Sequence, residues 1–164
     1  MTVIVVMGVS GAGKTTVGAA LAEALGVEYA EADNFHPPAN IAKMSSATPL
    51  TDEDRWPWLD SIADWIAAHE KSGGVVTSSA LKRRYRDVLR GGGDTWFLHL
   101  NGDRDLIADR LKQRTGHFMP ASLLDSQLAD LEPLEPDESG LTVNAGDPPD
   151  EIMKAATTAF KELS

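Results

Sequence analysis

Gly8-Val9-Ser10-Gly11-Ala12-Gly13-Lys14-Thr15 fits the pattern G-x-x-x-x-G-K-[ST]. Glycines let a backbone curl until successive N–H groups point inward at one anion. A lysine in the seventh place can reach terminal phosphates, and the hydroxyl after it can ligate Mg²⁺. A helix starting at the loop aims its positive end at the same charge. The surroundings match. Val3-Ile4-Val5-Val6-Met7 is a β-branched apolar run of the kind that forms a buried parallel strand. Val17, Leu21, Ala24 and Leu25 follow at helical spacing, and Gly26 supplies a stop. Strand, glycine loop and helix together predict a bound nucleoside triphosphate, with ATP the expected one. The loop alone does not separate a phosphotransferase from a switch or a motor.

The rest of the chain continues the alternation. Strands are expected at Val3–Met7, Glu28–Ala32, Val75–Ser78, Trp96–Leu100 and Leu141–Asn144, with helix-like runs between them. Thr51 has the character of an N-cap, with acids behind it and an apolar stripe of Trp58, Ile62, Trp65 and Ile66. These tryptophans read as core. Arg104–Arg114 is expected to be helical, and Pro148–Leu163 is expected as a final amphipathic helix with prolines at its start. Such alternation predicts an α/β fold in one domain, with a parallel sheet covered on both faces. Ligands of such sheets sit at the carboxyl ends of the strands.

Composition narrows the function classes. The 164 residues contain no cysteine, which excludes disulfides and thiol chemistry. No stretch is long and apolar enough to span a bilayer. The first strand starts at once, without a basic and apolar leader, so a cytoplasmic location is expected. A net charge of −10 argues against a nucleic-acid-binding face. The basic residues are nonetheless gathered: nine of the 15 lie between Lys82 and Arg114. They either focus anions in a cleft or form a solvated helix face.

The segments after the strands carry the candidate chemistry. Asp33 should emerge after the second strand, where a carboxylate can take a hydroxyl proton, hold water on Mg²⁺ or simply form a turn. His36 follows one turn later, ahead of two prolines expected to stiffen a loop, and imidazole can hydrogen-bond a hydroxyl at neutral pH. Lys82 and Arg86 are four residues apart at the third strand's end, and Arg110 and Arg114 repeat that spacing. Arg55 stands in the first turn after Thr51, beside two acids. No apolar strand ends in the aspartate that many phosphate-loop proteins use for Mg²⁺, because Val75–Thr77 runs into Ser78. Thr15 is then the expected metal ligand, together with phosphate oxygens and water. Ala145–Pro148 is expected near the base of the nucleotide, by position.

Several longer blocks are more specific than the loop. They are D-x-x-H-P-x-x-N-x-x-K-M (Asp33 to Met44), P-L-x-D-x-D-R-x-P-W-L (Pro49 to Leu59), S-A-L-K-x-x-Y-R-D-x-L-R (Ser79 to Arg90), R-x-x-x-R-x-G-H-F (Arg110 to Phe118) and L-L-x-S-Q-x-x-x-L-E (Leu123 to Glu132). In this order, over nearly the whole chain, they closely resemble gluconokinases, small P-loop kinases akin to shikimate and adenylate kinases. The resemblance implies ATP- and Mg²⁺-dependent phosphorylation of D-gluconate at its 6-hydroxyl, giving 6-phospho-D-gluconate and ADP. It implies a five-stranded parallel sheet in order 2-3-1-4-5, a mobile lid at roughly 115–132, with Gly116 and Pro120 as expected hinges, and a homodimer. Gly8, Ser10, Gly11, Ala12, Gly13, Lys14, Thr15, Thr16 and Arg110 are then the expected nucleotide-binding residues. Lys14, Asp33, Arg110 and Arg114 are expected to act in transfer. Asp33, His36, Arg55, Lys82, Arg86 and His117 are expected around the acceptor. The same chemistry on another hydroxy acid such as shikimate, or a non-catalytic nucleotide switch, are the competing expectations.

Overall fold

The computed structural model describes residues 2–46, 48–113 and 121–163, with backbone alone at 113 and 121–123. Five strands form one parallel sheet: β1 (Val3–Met7), β2 (Glu28–Glu31), β3 (Gly74–Thr77), β4 (Thr95–Asn101) and β5 (Gly140–Asn144). Their spatial order is β2-β3-β1-β4-β5, as the resemblance implies. The helices are α1 (Lys14–Leu25), α2 (Pro38–Ser45), α3 (Asp52–Ala68), α4 (Arg83–Arg90), α5 (Arg104–Gln113), α6 (Ala121–Asp130) and α7 (Pro149–Lys161).

Period-two alternation in the central strands sorts the core into two layers. Val3, Val5 and Met7 of β1, Val76 and Phe97 face α3 and α4, meeting Trp58, Leu59, Ile62, Ile66, Tyr85 and Leu89. Ile4 and Val6, with Val75, Trp96 and Leu98, face the other way, onto Val17 and Leu21 of α1 and Ile152 and Ala156 of α7. Burying each large side chain contributes roughly 1.5–3 kcal/mol. A third cluster joins Val9 and Leu81 to Ile107 and Leu111 of α5 and Leu124 of α6. It packs α6, the described part of the expected lid, against the phosphate loop. The expected hinges Gly116 and Pro120 lie outside the described residues.

Three local expectations shift. The second strand stops at Glu31, and Ala32–Phe35 tightens into a 3₁₀ turn. Pro38 opens an eight-residue helix, α2, where a stiff loop was expected; a proline at the first helical position lacks only an N–H that would be orphaned anyway. Lys82 is the extended N-cap of α4 and not a helical residue, so it does not share a helix face with Arg86. Thr51 behaves as expected. Its hydroxyl accepts from Asp54 N at 3.2 Å, while the Asp54 carboxylate accepts from Thr51 N at 2.9 Å, a closed capping box.

Candidate active site

The phosphate loop connects β1 to α1, and its shape is glycine-dependent. Gly13, the N-cap of α1, has φ +99°, and Gly11 has φ +87° with Leu111 and Ile107 packed where a Cβ would stand. A side chain at either position is strained in the backbone, and at Gly11 it also collides. The Lys14 ammonium donates to Gly8 O at 2.8 Å and Val9 O at 3.4 Å. It is thereby folded over its own loop and not extended into solvent. Thr15 and Thr16 are exposed at the start of α1.

Two cavities flank this loop. The smaller, about 330 Å³, is walled by Gly11, Ala12, Gly13, Thr16 and Val17, by Arg110, and by Ala145, Asp147, Pro149 and Ile152. The segment after β5, expected near the base of the nucleotide, borders this cleft through Ala145, Asp147 and Pro149. Arg110 stitches this cleft together: one guanidinium nitrogen donates to Ala12 O at 3.1 Å and another to Ala145 O at 2.6 Å. Its place is the wall of this cleft, and it is absent from the lining of the larger one.

The larger cavity, about 530 Å³, is walled by Ser10, Lys14, Thr15 and Thr16 on the loop side. Glu31, Asp33, His36, Arg55, Trp58 and Ser79 stand around it, with Ser126 and Gln127 of α6 completing the wall. Thr16 borders both cavities. The chain therefore places two chambers on either side of one phosphate loop.

Several polar groups in the larger chamber are held by neighbouring residues. Arg55 donates to Leu50 O at 2.9 Å and Tyr85 Oη at 3.0 Å, and its guanidinium lies over the Tyr85 ring. The Tyr85 hydroxyl in turn donates a hydrogen bond to the Asp52 carboxylate. Burial and that bond push the Tyr85 hydroxyl up to about 12, so it stays a neutral relay between the two charges. His36 stacks on Trp58 with ring centroids 4.3 Å apart. Burial holds the His36 imidazole below its usual range, with the Arg55 charge adding to this and Asp33 opposing it; the ring is neutral at pH 7. Glu31 accepts from Tyr29 Oη at 3.0 Å. Lys82 stands behind the chamber, 3.9 Å from both Asp52 and Asp130.

Arg86 is a correction. It was expected at the acceptor, but its side chain is 0% exposed and paired with Glu138, also 0% exposed, at 2.7 Å. It also donates to Ala80 O at 2.9 Å and Pro133 O at 3.3 Å. The helix register turns it inward, where Glu138 and two backbone carbonyls take four of its five N–H groups, and it does not line the larger chamber. Arg114 and His117 lie outside the described residues.

Sequence reasoning missed Gln127 and Glu31. Gln127 accepts from Ser10 N at 2.8 Å and returns a bond to Ser10 Oγ at 3.3 Å. It thereby ties α6 to the phosphate loop. The signal was present in the Ser126-Gln127 pair of the block Leu123 to Glu132. Glu31 was hidden by being read as an ordinary strand residue, although it stands two positions before Asp33 on the same strand end.

Mg²⁺ fits this site. Among the described residues no three His, Asp or Glu side chains gather closely enough to hold a metal unaided. Mg²⁺ needs no such cage: it is bound through one or two protein oxygens, phosphates and retained waters. The exposed Thr15 hydroxyl, with Asp33 and Glu31 in the same wall, is a hard-oxygen set of that kind.

Comparison with known proteins agrees with this geometry. The shikimate kinase family model matches residues 10–155. A gluconokinase of Gluconobacter oxydans is 49% identical over 161 residues, covering 96% of this chain and 90% of that protein. The thermosensitive gluconokinase of Escherichia coli is 43% identical, covering 84% and 75%. The crystal structure of a gluconokinase from Sinorhizobium meliloti superposes with a TM-score of 0.91 at 47% identity, covering 99% and 93%. A shikimate kinase from Aquifex aeolicus, 14% identical with a TM-score of 0.64, shares the fold alone. With the shikimate kinase model spanning most of its length and gluconokinases matching nearly all of it, the chain belongs to the gluconokinase family of P-loop kinases.

Proposed function

We propose that this protein is an ATP-dependent gluconokinase. It transfers the γ-phosphoryl group of ATP to the 6-hydroxyl of D-gluconate, giving 6-phospho-D-gluconate and ADP. The carrying observation is the pair of chambers that share the phosphate loop at Thr16. Family membership supplies the identity of the acceptor.

In this reading the smaller cleft takes the nucleoside, between Arg110 and the Ala145–Pro149 segment. The loop N–H groups and Lys14 hold the β- and γ-phosphates. Thr15, with phosphate oxygens, would hold Mg²⁺, which would supply positive charge against the phosphates, and Asp33 and Glu31 stand in the same wall. The larger chamber takes gluconate. Arg55, fixed through Nη1 by Leu50 and Tyr85, has Nε and Nη2 N–H groups that no described residue hydrogen-bonds, with Asp130 4.0 Å from Nη2, and suits its carboxylate; Lys82 adds positive charge nearby. His36 and Asp33 suit its hydroxyls. The acceptor oxygen forms the new P–O bond as the bond to the β–γ bridging oxygen breaks, and its proton passes to the Asp33 carboxylate. Transfer of this kind depends on positioning and charge neutralisation more than on covalent chemistry. A homodimer and a cytoplasmic location belong to the same proposal, carried by the family membership.

The test is ADP release with saturating MgATP and four acceptor conditions: gluconate, shikimate, AMP and none. Gluconate should exceed the other three by at least about a hundredfold, since a chamber built to hydrogen-bond one polyol acid leaves buried groups unpaired with another. Equal rates in all four overturn the kinase reading, and a preference for shikimate overturns the acceptor assignment.

A further inference from the structure

Asn40, on α2, is only 2% exposed. Its amide nitrogen lies 2.8 Å from Asp54 O and 3.2 Å from His36 Nδ1. A backbone carbonyl can only accept. The amide group turned toward it must therefore be the NH₂, because the reverse orientation sets two oxygens against each other with no proton between them. That NH₂ carries a second hydrogen, which faces His36 Nδ1. Nδ1 is then the acceptor, and the single proton of the neutral imidazole belongs on Nε2. The opposite tautomer brings two donors head to head in a buried place, where nothing compensates them.

The ring plane is fixed as firmly as the proton. His36 stacks on Trp58 at 10° between planes, and Trp58 is itself pinned by a 2.7 Å bond from Nε1–H to Ala32 O. Asp54, whose carbonyl orients Asn40, is held by the capping box and by Lys43 at 2.7 Å. His36 lines the larger chamber, and with Nδ1 engaged by Asn40 its Nε2 is the ring nitrogen left for a ligand there; no described residue bonds it.

We propose that Asn40 is a positioning residue: it locks His36 in the Nε2–H tautomer and makes it a fixed hydrogen-bond donor to the acceptor substrate. This rests on the reading of the larger chamber as the acceptor site. The atom opposite Nε2 must then offer a lone pair. A hydroxyl or carboxylate oxygen satisfies it, whereas an ammonium at that position meets a donor and is rejected. The carbonyl of Asp54 sets the amide, the amide sets the imidazole, and the imidazole sets which ligand atom is accepted.

The test is the long-range ¹H–¹⁵N spectrum of the full chain labelled with ¹⁵N-histidine, with the His36 signal assigned by its loss in His36→Gln. The expected wild-type result is the Nε2–H tautomer. In Asn40→Asp, whose carboxylate demands a donor, the tautomer should invert to Nδ1–H. The KM for gluconate should rise about tenfold while the KM for ATP stays within about twofold. A wild-type His36 carrying its proton on Nδ1 overturns the proposal, whether or not the Asn40→Asp chain folds. An unchanged tautomer in folded Asn40→Asp overturns the role of Asn40, and an inverted tautomer with unchanged KM overturns the role of the donor. A wild-type Nε2–H signal in a chain inert toward gluconate supports the lock and sinks the gluconate reading, so the two failures are distinguishable.

Discussion

His99 sits on β4 with 1% exposure, and neither ring nitrogen has a hydrogen-bond partner among the described residues. Burial, with the nearby Arg86 charge adding to it, pushes its pKa down to about 4. The folded chain therefore keeps His99 neutral, while the unfolded chain protonates it near 6.5. Between these values the unfolded state binds more protons. The contribution is present above the unfolded pKa and is lost as pH falls from about 6.5 toward 4. Urea unfolding at a series of pH values should show this decline. His99→Leu should flatten it and raise stability at pH 7 by about 1 kcal/mol, because it removes two unpaired buried polar atoms at similar volume. An unchanged pH slope in His99→Leu contradicts the account. His36 shows the contrasting arrangement: its Nδ1 is partnered by Asn40 and it lines the larger chamber. Neither arrangement is legible in the sequence: His99 is one residue of an apolar strand, and the block around His36 does not show which neighbour each ring nitrogen meets.

At the scale of elements, α4 is bound to the segment after α6 by charge. The Glu138 carboxylate takes Arg86 Nε at 2.7 Å and Arg90 Nη2 at 2.8 Å. Burial raises its pKa, but the two guanidinium groups outweigh this and hold it below the usual carboxylate range. Glu132 adds a backbone bond to Leu81 O at 2.6 Å and accepts from Arg83 N at 3.0 Å, capping α4 from a distance in sequence. Arg86→Met should cost roughly 3 kcal/mol of unfolding free energy, because it leaves a buried carboxylate half-compensated. The KM for gluconate of the folded protein should not move. A higher KM with unchanged Tm contradicts this and returns Arg86 to the acceptor. The sequence pattern showed a basic helix at this place; it did not show that Arg86 turns inward, because its partner lies 52 residues downstream. Conversely, α1, α3 and α7 were readable, since glycine loop, capping box, terminal proline and apolar stripe are local signals. The α2 helix was not, because its two opening prolines read equally well as a stiffened loop.

For the whole molecule, the alternation of strand and helix foretold a parallel sheet, and the sheet order follows the family resemblance. The phosphate-binding half of the site was also readable, because it is one continuous stretch from Gly8 to Thr16. The acceptor half is assembled from β2, α2, α3, the end of β3 and α6. Its members Asp33, His36 and Arg55 were named from motif blocks; Asn40 and Gln127 stand in the same blocks, but what they touch, like the place of Glu31, emerges only when those elements are packed. The central claim is that the two chambers join ATP to the far end of a six-carbon sugar acid. It is tested most directly by incubating the protein with MgATP and uniformly ¹³C-labelled gluconate and reading ³¹P–¹³C coupling in the product. The account predicts a single phosphoester on C6, absent with Lys14→Ala, whose loss should cost at least about a hundredfold in rate. A phosphoester on any other carbon, no phosphoester at all, or normal turnover by Lys14→Ala would contradict it.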